Sequence, residues 1–250
     1  MEHARTQTIR EFILDQAARD PRSLARRIGE AYGISRQAAN RHLDLLVAAG
    51  LIEEAGQTRA RVYRLKRTSA LSRELRVTPV LNAERVWEDH IAPILSSDKP
   101  GVRDLCRGAF GELVRNAVEH ADASWINFSF ASNARDIDVT VADDGAGIFA
   151  VLLRPLGASS PHDAAAMIAN LCNARAPESP VARLALLARN FQQFSVRSAG
   201  FVLLFDRDED TWTVSNDESP RKGTAVSFRM RRPSAVASQR PGRTQSAASR

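Results

Sequence analysis

The sequence predicts an α+β protein of two domains, and the length and patterning of the chain support this. A chain of 250 residues, of which 44% are hydrophobic and 26% charged, is long enough to bury two cores. Residues 1–67 carry short helical patterns with an Arg-rich surface, whereas residues 101–230 mix long helical patterns with strand patterns. We predict a helical connector over residues 68–100. Residues 231–250 hold five arginines and no acidic residue, which predicts a disordered basic tail.

Charge and cysteine content narrow the classes of function. The formal net charge of +6 divides into +5 for residues 1–67, −4 for residues 68–230 and +5 for residues 231–250, so cationic ends suited to nucleic acid flank an acidic centre. Cys106 and Cys172 are the only cysteines, which excludes a disulfide framework and a Cys-rich zinc site. Because no apolar run reaches about 18 residues and no signal peptide is readable, we expect a cytoplasmic protein with no membrane partner.

Three helices and a hairpin are predicted in the first domain. Apolar residues recur at helical spacing up to Ala17, and the Asp20-Pro21 pair ends this first helix. A second helix is predicted over residues 23–32. Ser35 is a favourable cap for a third helix, which Gly50 ends. Two short strands follow, separated by a polar turn, with the return strand at residues 61–65.

These elements have the order of a winged helix-turn-helix. The segments ISRQAANRHL at residues 34–43 and AAGLI at residues 48–52 resemble the recognition helix and wing entry of MarR/ArsR-type bacterial regulators. Basic and amide side chains on the exposed face of such a helix can bind base edges in a major groove. The alternative is a winged helix that docks a protein. We expect double-stranded DNA to be contacted by Ser35, Arg36, Gln37, Asn40 and Arg41 on the helix and by Arg59 and Arg61 on the wing.

A helical pattern in the second domain places three polar side chains on one face. Glu112, Asn116 and His120 are spaced i, i+4 and i+8. An Asn oxygen is a ligand for Mg²⁺, and a Glu within reach of a water is a candidate general base. A solvated polar helix face would show the same spacing.

A glycine-rich turn follows two predicted strands at residues 125–130 and 136–141. The turn reads DDGAG, from Asp143 to Gly147. Glycine lets backbone approach a flat ligand closely, and the Asp143 carboxylate can accept a hydrogen bond from an exocyclic amine. A simple tight turn has the same residues, but in combination with the preceding helix the turn predicts a nucleotide site.

The pair of motifs resembles the nucleotide site of the GHKL superfamily of histidine-kinase-like ATPases. The resemblance implies an α/β sandwich with helices on one face of a mixed sheet, and it implies ATP and Mg²⁺ as cofactors. The helix motif matches the family's N-box, Asp143 matches the carboxylate that recognises the adenine amino group, and a Gly-Thr strand at residues 223–228 matches the family's last strand. The implied site consists of Glu112 as catalytic base, Asn116 as Mg²⁺ ligand, and His120, Asp143, Gly145, Gly147 and Thr224 as cofactor-binding residues.

The chain departs from the family where a second glycine box binds the phosphates. The best-placed segment, residues 179–187, contains no glycine. Close approach of its backbone to a phosphate is therefore not expected, and Arg183 offers a charged group in its place.

Taken with the winged helix, these motifs predict an ATP-binding, DNA-binding transcriptional regulator whose nucleotide state alters its affinity for DNA, and homodimer formation is open. One alternative is a serine/threonine protein kinase that resembles anti-sigma kinases and uses the winged helix to dock a partner. Another is a degenerate platform that binds no ATP. ATPase activity is left open. Autophosphorylation on histidine is not expected, because Arg73 occupies the histidine position of a phosphoacceptor-like segment at residues 72–79.

Overall fold

The computed structural model describes residues 2–56, 61–176 and 181–232. It shows an α+β protein with a large antiparallel sheet, and the chain divides into two compact units between Lys66 and Arg67. Of the described helices, none is both long and apolar enough to cross a lipid bilayer.

The first unit contains three helices and a two-stranded antiparallel sheet. Its elements are α1 (Glu2–Arg19), α2 (Leu24–Tyr32), α3 (Arg36–Ala48), β1 (Ile52–Ala55) and β2 (Val62–Leu65). One apolar stripe on each helix faces inward, and Ile13, Ile28 and Leu43 have no solvent exposure. The sheet is joined to the helices because the Tyr63 backbone N–H donates to the Pro21 carbonyl (3.0 Å). The three helices and the hairpin are therefore found as the sequence predicts.

The second unit is a seven-stranded sheet with helices packed on it. Its elements are β3 (Arg67–Arg76), α4 (Ala83–His90), α5 (Pro100–His120), β4 (Trp125–Asn133), β5 (Asp136–Asp143), α6 (Ile148–Val151), α7 (Leu153–Leu156), α8 (Pro161–Asn173), α9 (Ala182–Ala188), β6 (Gln193–Ser198), β7 (Phe201–Asp206), β8 (Thr211–Asn216) and β9 (Thr224–Arg231). The strand order is β3-β4-β5-β9-β6-β7-β8.

Every strand pair in this sheet is antiparallel, so the expected mixed sheet is not observed. Tight turns join β4 to β5, β6 to β7 and β7 to β8, and short connections of this kind require antiparallel neighbours. The last strand, β9, then enters between β5 and β6 and runs antiparallel to both.

The helices cover one face of the sheet. Helix α5 contacts β5, and α8 contacts β7 and β8. Residues of β4 alternate between buried and exposed, and the Phe128 ring meets Phe110 of α5 edge to face at 5.4 Å. The opposite face is polar: Thr140 and Ser227 share a hydrogen bond (2.8 Å), and Arg229 donates to Asp138 (2.6 Å). This one-sided covering produces the period-2 pattern in the strands.

Residues 68–100 do not form a separate helical connector. Strand β3 pairs along β4, which brings Leu71 and Leu75 against the core of the second unit. Between β3 and α5 the described residues form one helix, α4, as the helical prediction requires, and its Trp87 packs against Phe110 with ring centres 6.1 Å apart. The phosphoacceptor-like segment at residues 72–79 begins in β3, and its Arg73 belongs to this strand.

Candidate functional site

A cavity of about 620 Å³ opens in the second unit between α5, α9 and the sheet. Its lining residues come from chain segments that are far apart in sequence. Six of the seven predicted nucleotide-site residues line it: Glu112, Asn116, His120, Asp143, Gly147 and Thr224. The fold therefore brings the α5 motif, the end of β5 and the start of β9 to one place.

Asp143 lines this cavity, and hydrogen bonds fix the orientation of its carboxylate. The residue is buried, with 7% of its surface exposed. Its Oδ1 atom accepts hydrogen bonds from the backbone N–H groups of Gly145 (2.9 Å) and Thr224 (3.2 Å). Burial raises the pKa of Asp143, although these two backbone hydrogen bonds oppose the shift. Both described hydrogen bonds use Oδ1, so the acceptor capacity of Oδ2 is not used by them.

The neighbouring Asp144 has a different role. Its Oδ1 accepts the backbone N–H groups of Ser124 (2.8 Å) and Trp125 (2.9 Å), and these bonds lower the pKa of Asp144. Asp144 therefore fixes the entry to β4, and Asp143 is the carboxylate that faces the cavity.

Gly145 does not line the cavity, which corrects the prediction that it lies beside a nucleobase. A Cβ atom on Gly145 would stand 2.0 Å from the carbonyl oxygen of Ala121, just after α5. The Ala146 backbone N–H donates to that same oxygen (2.8 Å). Gly145 is thus required because the turn after β5 packs directly on the end of α5.

Gly147 does line the cavity, and its backbone has a φ of 87°. A Cβ atom there would lie 2.6 Å from Ser198 Oγ. Ser198 is buried and donates to the Gly223 carbonyl (2.9 Å), while a Cβ on Gly223 would stand 2.1 Å from the Asp143 carbonyl oxygen. Neither Ser198 nor Gly223 is among the predicted site residues, although Gly223 begins the predicted Gly-Thr segment at residues 223–228.

Thr224 supports the site from both its backbone and its side chain. Besides the N–H bond to Asp143, its Oγ1 accepts the backbone N–H of Ile148 (2.9 Å). These bonds join the starts of β9 and α6 to the end of β5.

The α5 face carries the predicted phosphate-side groups. Glu112 lines the cavity but forms an ion pair with Arg115 (2.5 Å), and the Glu112 side chain is 29% exposed. Asn116 and His120 are exposed, and the His120 imidazole lies 3.9 Å from the Glu119 carboxylate. The described residues include no group of three or more His, Cys, Asp or Glu placed to hold a metal.

The remaining walls are mostly apolar. Along α9 and just after it, the lining positions recur on one helical face. Leu186 of this face is 69% exposed and Val151 of α6 is 44% exposed, so two large hydrophobic side chains of the lining are open to solvent. The lining residues of this region that sequence reasoning did not single out are Ile148, Val151, Leu152, Val181, Leu184, Leu186, Leu187 and Asn190.

In the first unit, the predicted DNA-contacting residues lie mainly on α3. Ser35 caps this helix by accepting the Ala38 backbone N–H (3.2 Å). Arg36, Gln37 and Arg41 are exposed, whereas Asn40 is half-buried.

The two predicted wing arginines are Arg59 and Arg61. Arg61 is exposed and pairs with Glu54 across the hairpin (3.0 Å). Arg59 lies outside the described residues.

No model of a known protein family matches this chain, and a search of curated proteins finds no match.

Proposed function

We propose that the cavity of the second unit binds an adenine nucleotide and that the chain is a nucleotide-responsive, DNA-binding regulator. In this proposal the first unit is a winged helix-turn-helix and the second is a domain of the GHKL type. The observation that carries the proposal is the oriented Asp143 carboxylate in the lining of a cavity that five further predicted site residues also line.

The cavity lining around Asp143 matches a flat ring that carries an amino group. The Asp143 Oδ2 atom accepts a hydrogen bond from the exocyclic amine, while Oδ1 stays fixed by two backbone donors. Apolar side chains such as Leu113, Ile148 and Val226 line the same cavity and suit the faces of a nucleobase.

The α5 face supplies suitable oxygen atoms for the phosphate side. The Asn116 amide and the Glu112 carboxylate both line the cavity, and Mg²⁺ in nucleotide sites is commonly held by one or two protein oxygens together with phosphates and water. When bound, Mg²⁺ would neutralise phosphate charge. Because Glu112 is engaged with Arg115, we propose binding as the main activity and place phosphate transfer to a protein second.

A calorimetric titration of Mg-ATP into the full chain tests the nucleotide proposal. The variant Asp143→Asn keeps an oxygen for the two backbone donors and replaces the ligand-facing oxygen by an NH₂ donor, which opposes an amine. We expect about tenfold to 100-fold weaker binding, in line with about 1.5–3 kcal/mol for a hydrogen bond to a charged group. Asp138→Asn, on the polar face of the same strand, is the matched control and should bind as wild type does. Absence of binding to wild type would refute the proposal.

The DNA proposal depends on α3, whose exposed Arg36, Gln37 and Arg41 suit phosphates and base edges. Two copies of the chain would present two such helices to a palindromic site. The free, buried thiols of Cys106 and Cys172 suit a reducing compartment, and we propose the cytoplasm.

Fluorescence anisotropy on duplex DNA, with and without Mg-ATP, measures whether nucleotide alters DNA affinity. Coupling between two sites requires different DNA affinities in the two nucleotide states. We expect a shift in the DNA dissociation constant that Asp143→Asn abolishes. Identical isotherms would exclude the regulatory coupling and leave nucleotide binding itself intact.

A further inference from the structure

The charges that line the cavity are unevenly distributed. Two carboxylates, Glu112 and Asp143, line it, and Arg183 of α9 is its one Lys or Arg side chain among the described residues. Glu112 is paired with Arg115, which is not part of the lining. Among the described lining residues, the Arg183 guanidinium is therefore the one permanently positive group that can contact an anionic ligand.

Arg183 is also free to make such a contact. It is exposed, and within the part of the chain that the structure describes its guanidinium has no ion pair or hydrogen bond. Arg189, which follows α9, instead pairs with Asp210 (3.2 Å) and reaches the Cys172 carbonyl. The two arginines differ in that one is held by protein partners and the other faces the cavity.

The side chains next to Arg183 in the cavity lining carry no charge. Leu184, Leu186 and Leu187 share its lining face, and residues 181–190 contain no glycine that would let backbone N–H groups approach closely. A planar guanidinium can bind a phosphate through two parallel hydrogen bonds, which a neutral side chain cannot replace.

We infer that Arg183 is the residue by which this cavity distinguishes a nucleotide from its nucleoside, through a direct ion pair with a phosphate. This inference rests on the proposed nucleotide function. It assigns recognition of the base to Asp143 and recognition of the phosphate to Arg183, on separate walls of the cavity.

Calorimetric titration of adenosine and of ADP into the full chain, without divalent cation, tests the assignment. In wild type we expect ADP to bind about tenfold more tightly than adenosine, a modest value for a charge-assisted contact at an exposed side chain. In Arg183→Gln the affinity for ADP should fall to that for adenosine, and adenosine binding should be unchanged. Arg183→Lys should retain part of the preference, because the charge remains but the planar pair of donors is lost.

Arg154→Gln is the matched control, because Arg154 is an exposed arginine of α7 outside the cavity lining. This variant should prefer ADP over adenosine to the same extent as wild type. An unchanged ADP preference in Arg183→Gln would overturn the inference while leaving the nucleotide site in place. Equal loss of adenosine and ADP binding would likewise overturn it, because it would mark a structural role. If wild type binds neither compound, the proposed function itself fails.

Discussion

Replacing Gly145 by alanine tests how the turn after β5 is held against α5. The added Cβ would lie 2.0 Å from the Ala121 carbonyl oxygen and 2.7 Å from its carbonyl carbon, whereas ordinary contact begins near 3.4 Å. Both obstacles are backbone atoms, so a rotamer change cannot relieve the overlap. The turn must move, which also breaks the 2.8 Å hydrogen bond from Ala146 to Ala121.

The expected cost combines two terms. Overpacking in a tight interior contact costs about 1–3 kcal/mol, and loss of one hydrogen bond costs about 1 kcal/mol. Urea unfolding should therefore show Gly145→Ala destabilised by about 2–4 kcal/mol. Gly101→Ala in the first turn of α5, where a Cβ meets nothing within 4 Å, should leave stability equal or slightly raised. An unchanged free energy of unfolding in Gly145→Ala would refute the close approach that positions Asp143.

Two further predictions concern residues around Asp143, and a third concerns α3 of the first unit. Burial raises the pKa of Asp143 above its value in the unfolded chain, so the free energy of unfolding should fall as pH rises from about 4 through that raised pKa. Asp143→Asn should remove this contribution to the pH dependence and raise the melting temperature at pH 7. If the variant shows the same pH dependence of the unfolding free energy as wild type, the raised pKa is contradicted. Ser198→Ala should cost about 1–3 kcal/mol in urea unfolding, because the Gly223 carbonyl loses its buried donor; a neutral result would show that the bond is dispensable. Arg36→Ala and Arg41→Ala should each weaken DNA binding, and a residue that contacts a phosphate should lower the salt slope by about one; retained affinity in both would favour a protein-docking role.

Local patterns in the sequence predict most of the first unit and the polar face of α5. Helical spacing of apolar residues and the Ser35 cap depend on neighbours within one or two turns, so the chain itself carries that information. The turn at Asp143 is likewise visible as a carboxylate followed by glycines.

Long-range pairing accounts for what the sequence did not predict. Strand β3 lies in the segment predicted as a helical connector. It is an edge strand of the sheet, and its pairing with β4 brings the partly buried Leu71 and Leu75 against the core. The apolar face of α9 predicts burial but does not specify that it borders a cavity. Gly145 has the residue type expected of a ligand contact, yet its close neighbour is Ala121, which sequence spacing cannot show.

Comparison of ADP with inosine diphosphate tests the central claim most directly. The two ligands share ribose and phosphates, but inosine has an oxygen where adenine has the exocyclic amine. That oxygen would face the Asp143 Oδ2 acceptor without a hydrogen to share. In calorimetric titrations of the full chain we predict that ADP binds at least about tenfold more tightly than inosine diphosphate, which corresponds to about 1.4 kcal/mol. Equal affinity for the two ligands, or no binding of ADP, would contradict an adenine site at Asp143.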